Sequence, residues 1–241
     1  MPAIKYDVIY RDLLEKIESQ TYPFGATLPS ENQLVEVYSC SRNTVRRAIA
    51  KLSENGYVQI VHGKGVMVLY RKSEQALFSI GGVESMKEAA ARNSQKLRTK
   101  VIYFTELVVD KALAEKTGFP EGSEVYYLQR VRYLDGEALI LDHNYFLKDI
   151  VKGLSAGIAE GSVYEYMEDA LGEVIVTTLR KYTIERDTEI DRQYLDMGGY
   201  NCMMVVTNQS FNKAGVQFEY TDSRHSPGRF VFYELAHRHK V

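Results

Sequence analysis

The chain has 241 residues, 45% hydrophobic and 26% charged, with a net charge of −2 at pH 7; these globular averages exclude a disordered or fibrous class. No apolar run approaches the roughly 18–20 residues that span a bilayer, and the first twelve residues carry no secretory pattern, so a cytoplasmic protein with no membrane role is expected. Cys40 and Cys202 form no CxxC pair, which speaks against a disulfide framework or zinc knuckle; no cofactor or metal is expected, and any nucleic-acid surface must come from local charge.

Along the chain, Tyr6, Ile9, Tyr10, Leu13, Leu14 and Ile17 recur at helical steps, predicting an amphipathic helix over Tyr6–Ile17. Ser30 and Gln33 have the spacing of a capping box, opening a helix expected to bury Leu34, Val37 and Tyr38. After only Ser39 and Cys40, Ser41 is a second N-cap candidate, and Val45, Ala48, Ile49 and Leu52 mark the inner face of another helix. Two β-rich runs, Tyr57–Val61 and Val66–Tyr70, flank His62, Gly63, Lys64 and Gly65, the glycine-rich tip of a hairpin. Leu28–Gly65 thus reads as a winged helix-turn-helix.

Polar residues 71–77 are the expected linker between a first domain, 1–70, and a second, 78–238. In the second, Val83–Arg92, Lys111–Thr117, Ser162–Leu171 and Thr188–Leu195 look helical. Val125–Leu134, Ala138–Phe146, Val174–Ile184, Met203–Phe211 and Val216–Ser223 are strand candidates. Turns at Asp135-Gly136 and Ala214-Gly215 favour antiparallel hairpins, so an α+β domain is expected.

With its apolar face inward, the helix after Ser41 turns Asn43, Arg46, Arg47 and Ala50 outward, with Arg42 at its exposed start. Residues 41–54 carry four Lys/Arg and one Glu, whereas residues 1–70 carry eight basic and seven acidic side chains, so basicity concentrates on this helix. Arginine can give paired hydrogen bonds to a guanine edge, and Asn43 and Thr44 can reach bases or phosphates. A merely solvated charged face is the competing reading. In the second domain Arg130 and Arg132 project from one strand face and suit an anion, while Ser162 and Tyr164 offer hydroxyls at a helix start; surface salt bridges would also explain them. Asp142 and Glu219 could accept sugar hydroxyls or be surface charges. No nucleophile motif, phosphate loop or metal spacing supports an enzyme, the nearest candidate being His237 and His239.

The segments Leu28–Glu31, Ser41–Ala48, Asn55–Tyr57 and His62–Gly65 resemble the DNA-binding domain of GntR-type bacterial regulators. The resemblance implies that Arg42, Thr44 and Arg46 contact operator DNA, that Ser30 anchors a phosphate, and that His62, Gly63 and Lys64 enter the minor groove. Asn32 departs from the pattern, since many members carry arginine there. Residues 78–232 resemble the UTRA domain of the HutC branch, a mixed α/β fold similar to chorismate lyase. Such a resemblance implies a homodimer and a phosphosugar effector held by Arg130, Arg132, Ser162, Tyr164, Asp142 and Glu219. Gly81 stands where many members have a phosphate-binding hydroxyl, and His225 where many have a pocket tyrosine. Segments 85–88, 135–146, 162–172 and 218–225 resemble those of trehalose-operon repressors, which implies trehalose 6-phosphate as effector; an amino-sugar phosphate is the alternative within the same architecture.

Overall fold

The structure is a computed structural model, and it describes residues 5–71, 76–79, 83 and 85–233. Contacts divide the chain into two compact units, the first built on residues up to 74 and the second on most of residues 75–232.

In the first unit, α1 (Lys5–Glu18), α2 (Glu31–Tyr38) and α3 (Arg42–Glu54) are followed by a hairpin of β1 (Val58–Val61) and β2 (Gly65–Val68). Helical periodicity turns Ile9, Leu13 and Ile17 of α1 onto Val45, Ile49 and Leu52 of α3, and Leu28, Leu34 and Val68 close the same core. The capping box at Ser30 is formed, Ser41 caps α3 through the Thr44 N–H, and Ser39 turns the chain between them in the left-handed region at φ 46°. At the hairpin tip Gly63 holds φ 74°, a conformation that a side chain disfavours.

Contrary to the expected burial, Val37 is 67% exposed, and Val35 packs on the core beside Leu34 and Tyr38 instead. At about 100° per residue, Leu34, Tyr38 and Val35 share one arc, and Val37 falls roughly 60° outside it. An eight-residue helix docked by a single turn leaves that position in solvent.

The second unit begins with β3 (Ala76–Ser79), α4 (Met86–Arg92), β4 (Leu97–Val108), α5 (Lys111–Thr117), β5 (Glu124–Leu134) and β6 (Glu137–Leu147). It continues through α6 (Ala156–Ala159), α7 (Val163–Asp169), β7 (Ile175–Arg186), α8 (Glu189–Tyr194), β8 (Cys202–Asn212), β9 (Gln217–His225) and β10 (Phe230–Tyr233). Six strands form one antiparallel sheet in the order β4-β5-β6-β9-β8-β7, while β3 and β10 pair separately. The β5–β6 hairpin turns at Asp135 and Gly136 with φ 51° and 92°, as a two-residue turn between right-twisted strands requires. Alternation sends Tyr126, Leu128 and Phe146 to the face that α6 and α7 cover. Val131, Leu141, Met203 and Val205 point to the opposite face, against Leu195 and Met197 at the end of α8.

The α+β architecture and the five predicted strands are all present, with ends shifted by a few residues. The predicted helix from Val83 starts only at Met86, because Ser85 and Glu88 make a capping box there. β4 has no counterpart among the expected strands, because it is an edge strand whose bulge between Val101 and Tyr103 breaks the alternation. Among the described residues, no helix is long and apolar enough to cross a membrane.

Candidate functional site

Two clusters of predicted residues can be placed, one in each unit. On α3, Arg42, Asn43, Arg46 and Arg47 are exposed, Thr44 is half-buried, and the inner face is closed by Val45, Ala48, Ile49 and Leu52. His62, Gly63 and Lys64 are all exposed at the hairpin tip. An open cleft of about 640 Å³ runs between Asn43, Arg46 and Ala50 of α3 and Ile60 and Val66 of the hairpin.

Within this face the cations are held differently. Arg42 Nη2 donates to Asn32 Oδ1 at 2.6 Å, and Arg46 Nε lies 3.6 Å from the Glu31 carboxylate. Arg47 leans away toward α1, its guanidinium 4.2 Å from the centroid of the Tyr6 ring. Lys51 reaches Asp7 of the same helix at 2.9 Å. The hydroxyls of Ser30 and Ser41 serve as caps, Ser41 also sharing a 2.8 Å hydrogen bond with Thr44 Oγ1. Exposed cations beside two capped helix starts form a surface able to meet a polyanion.

In the second unit the strand period of two gathers Arg130 and Arg132 of β5, Asp142 and Asn144 of β6, and Glu219, Thr221, Ser223 and His225 of β9 on one face. The register sets Arg130 beside Asp142, Asp142 beside Ser223 and Asn144 beside Thr221. Arg130, Arg132, Asp142, Glu219 and His225 are all less than 9% exposed, so the surface-salt-bridge reading fails. Arg132 Nε donates to Asp142 Oδ2 at 2.7 Å, and its Nη1 reaches Thr99 Oγ1 at 3.1 Å. Asp142 also accepts from Ser223 Oγ at 2.7 Å and lies 3.8 Å from Arg130 Nη2.

A chain of hydrogen bonds links this pair to Glu219. Arg130 Nε donates to Asn144 Oδ1, Asn144 Nδ2 to Thr221 Oγ1, and the Thr221 hydroxyl to Glu219 Oε1, each at 2.7 Å. Glu219 Oε2 accepts from Tyr164 at 2.6 Å and Ser210 at 2.8 Å. Arg130 Nη1 also donates to Ala159 O, the last residue of α6, at 3.3 Å. Ser162 caps α7 through the Glu165 N–H. Gly81 lies outside the described residues, as do His237 and His239.

Burial and then the adjacent Arg132 charge push the Arg130 pKa down, to about 9. Burial alone would raise Asp142, but Arg132 and Arg130 hold its carboxyl below the usual range. Burial and the Glu219 charge raise the Tyr164 phenol well above its ordinary value. Two guanidiniums that repel each other in a buried site, with Asp142 beside both, are receptive to a further anion, and Asp142 and Glu219 carry acceptor oxygens for hydroxyls.

Residues 5–68 match the gntR family of bacterial regulatory proteins, and residues 92–231 match the UTRA domain. The chain belongs to the GntR family of bacterial regulators that carry a UTRA domain. Across 240 residues, covering 100% of both chains, it is 36% identical to the HTH-type transcriptional regulator TreR of Bacillus subtilis. The effector-binding domain of the B. subtilis trehalose repressor superposes with a TM-score of 0.53 at 34% identity, covering 59% of this chain and 99% of that one. The possible transcriptional regulator YydK of B. subtilis shares the fold along 97% of this chain and 100% of its own, with a TM-score of 0.82 at 22% identity. This GntR-family chain is therefore a transcriptional regulator rather than an enzyme, with a DNA-binding and an effector-binding part.

Thr99, Asn144, Ser210, Thr221 and Ser223, which are not among the residues expected from sequence, tie the regulator's charged residues together. The available signal was polar residues at alternate positions of strands: Asn144 follows Asp142 at the period of two, and Thr221 and Ser223 follow Glu219.

Proposed function

We propose that this regulator represses a trehalose-utilisation operon in the cytoplasm, binds its operator as a homodimer, and lets go when trehalose 6-phosphate enters the second unit. The observation that carries this reading is the full-length 36% identity to TreR, and the chemistry of the buried face agrees with it. Residues 1–70 form the operator-binding domain, 71–77 the linker and 78–238 the effector domain. Arg42, Asn43, Thr44, Arg46 and Arg47 approach the major groove, His62, Gly63 and Lys64 the minor groove, and Ser30 and Ser41 present helix starts to phosphates.

Arg130, Arg132, Ser162 and Tyr164 serve the phosphate, with a backbone N–H of Gly81, while Asp142, Glu219 and His225 serve the disaccharide. A phosphate dianion accepts forked hydrogen bonds from guanidinium, and sugar hydroxyls pair with carboxylates that can accept from several donors. Drawing Arg130 off Ala159 O would remove one tie on the end of α6, whose apolar residues stay packed on the sheet, and so bear on α7, which follows it closely. Glu165 of α7 holds Lys87 of α4 at 2.7 Å, so movement there reaches the helix that follows the linker.

A thermal-shift panel tests the ligand. Trehalose 6-phosphate at about 100 times its dissociation constant is expected to add roughly 2.7 kcal/mol of stability, with little shift from trehalose or glucose 6-phosphate. A shift produced by glucosamine 6-phosphate and not by trehalose 6-phosphate would replace the effector while keeping the architecture.

A further inference from the structure

Arg42 opens α3 and Asn32 sits in the first turn of α2, ten residues earlier. The left-handed turn at Ser39 brings the two helix starts together, and Arg42 Nη2 then donates to Asn32 Oδ1 at 2.6 Å. Both side chains are exposed, so the bond belongs to the surface rather than the core. It engages one of the five N–H groups of the guanidinium and leaves the others for a ligand. Because the acceptor is a neutral amide, Arg42 keeps its full charge. Arg46, one turn further along, faces the Glu31 carboxylate at 3.6 Å instead. Of these two arginines, Arg42 is thus oriented and uncompensated, and Arg46 is compensated by a carboxylate that a phosphate would repel.

Phosphate accepts a guanidinium over a wide range of angles and carries no sequence information. A guanine edge requires two parallel N–H bonds in the plane of the base, so it rewards a guanidinium whose plane is already restricted. We infer that Asn32 is a specificity-determining positioning residue, which orients the Arg42 guanidinium for paired hydrogen bonding to a guanine edge and contributes nothing to sequence-independent phosphate binding. This rests on the reading of α3 as the helix that meets operator bases.

The test selects random DNA duplexes on the full-length chain and on the Asn32→Ala, Asn32→Asp and Arg42→Ala variants. It also measures affinity for one fixed unrelated duplex as a function of salt. Asn32→Ala is expected to lose about tenfold in preference at the base pair where Arg42→Ala also loses it. Other positions, affinity for the unrelated duplex and its salt dependence stay as in the parent. Asn32→Asp restores an acceptor for Arg42, so it keeps the preference at that pair while its added charge weakens binding to every duplex. The inference is overturned if Arg42→Ala loses the preference and Asn32→Ala keeps it, if Asn32→Ala weakens all duplexes alike, or if Asn32→Asp loses the preference too. Unchanged preferences in Arg42→Ala would instead remove the base-reading role of α3, and the positioning role with it.

Discussion

Arg132→Ala is expected to abolish the response to trehalose 6-phosphate and to destabilise the sensor unit by about 3–5 kcal/mol, the range for breaking one side of a buried ion pair. The magnitude follows from what the substitution leaves behind. Asp142 is 2% exposed; without Arg132 at 2.7 Å it keeps only the Ser223 hydroxyl and the longer approach of Arg130 at 3.8 Å. Thr99 loses its donor as well. A destabilised sensor could fail to respond merely because it is unfolded, and a second variant separates the causes. Arg132→Gln with Asp142→Asn removes one charge of each sign from a site that holds two of each, and an amide pair can replace the lost hydrogen bond. Most of the stability should return while the response stays absent. Denaturant unfolding and calorimetric titration of both variants measure the two quantities; a stable double variant with parental ligand affinity would remove Arg132 from the effector site.

Acid sensitivity is the second large expected effect, and His225 is its source. The ring is 4% exposed and meets Phe230 and Phe232 edge-on at centroid distances of 4.8 and 5.2 Å. Burial pushes its pKa down from 6.5 to about 4, against the opposing pull of the Asp142 charge. Between these values the unfolded chain binds a proton that the folded chain refuses, so stability falls as pH falls. The loss begins near pH 6.5 and is complete near pH 4. At about 1.4 kcal/mol per pKa unit the total is on the order of 3 kcal/mol. The control is His225→Phe, compared with the parent in the same unfolding transition at a series of pH values without ligand. It should lack this component, leaving the smaller slope from other groups, among them His143, which burial also shifts down. Parallel profiles for the two proteins would show that His225 does not enter the fold neutral.

The parts of the fold that local pattern specifies were the ones legible in the sequence. Caps at Ser30 and Ser41, a helical stripe from Val45 to Leu52 and glycines at the hairpin tip each act within a few residues. Val37 departs from its expected burial because an apolar residue on a short helix marks the core only when the helix packs at that angle. The α3 face read as one basic surface, yet Arg47 stacks on Tyr6 and Lys51 pairs with Asp7, 44 residues away; separations of that size leave no local trace. In the second unit, the period of two set Arg130 and Arg132 on one face, but it could not say that the face was buried. Asp142, Glu219, Ser162 and Tyr164 showed only as acceptors and hydroxyls with a surface reading equally open, and their assignment to an effector is what the family resemblance implies. Their connectors were hidden by distance along the chain, Asn144 and Thr221 being 77 residues apart.

Release of DNA by a ligand requires that the ligand bind the free and operator-bound forms unequally, and the coupling must be reciprocal. Calorimetric titration of trehalose 6-phosphate into the free regulator and into its operator complex measures this directly. The account predicts weaker binding to the complex, by the same factor by which the ligand weakens operator affinity, within roughly 5–150-fold for typical couplings. Equal affinity for the two forms would contradict it.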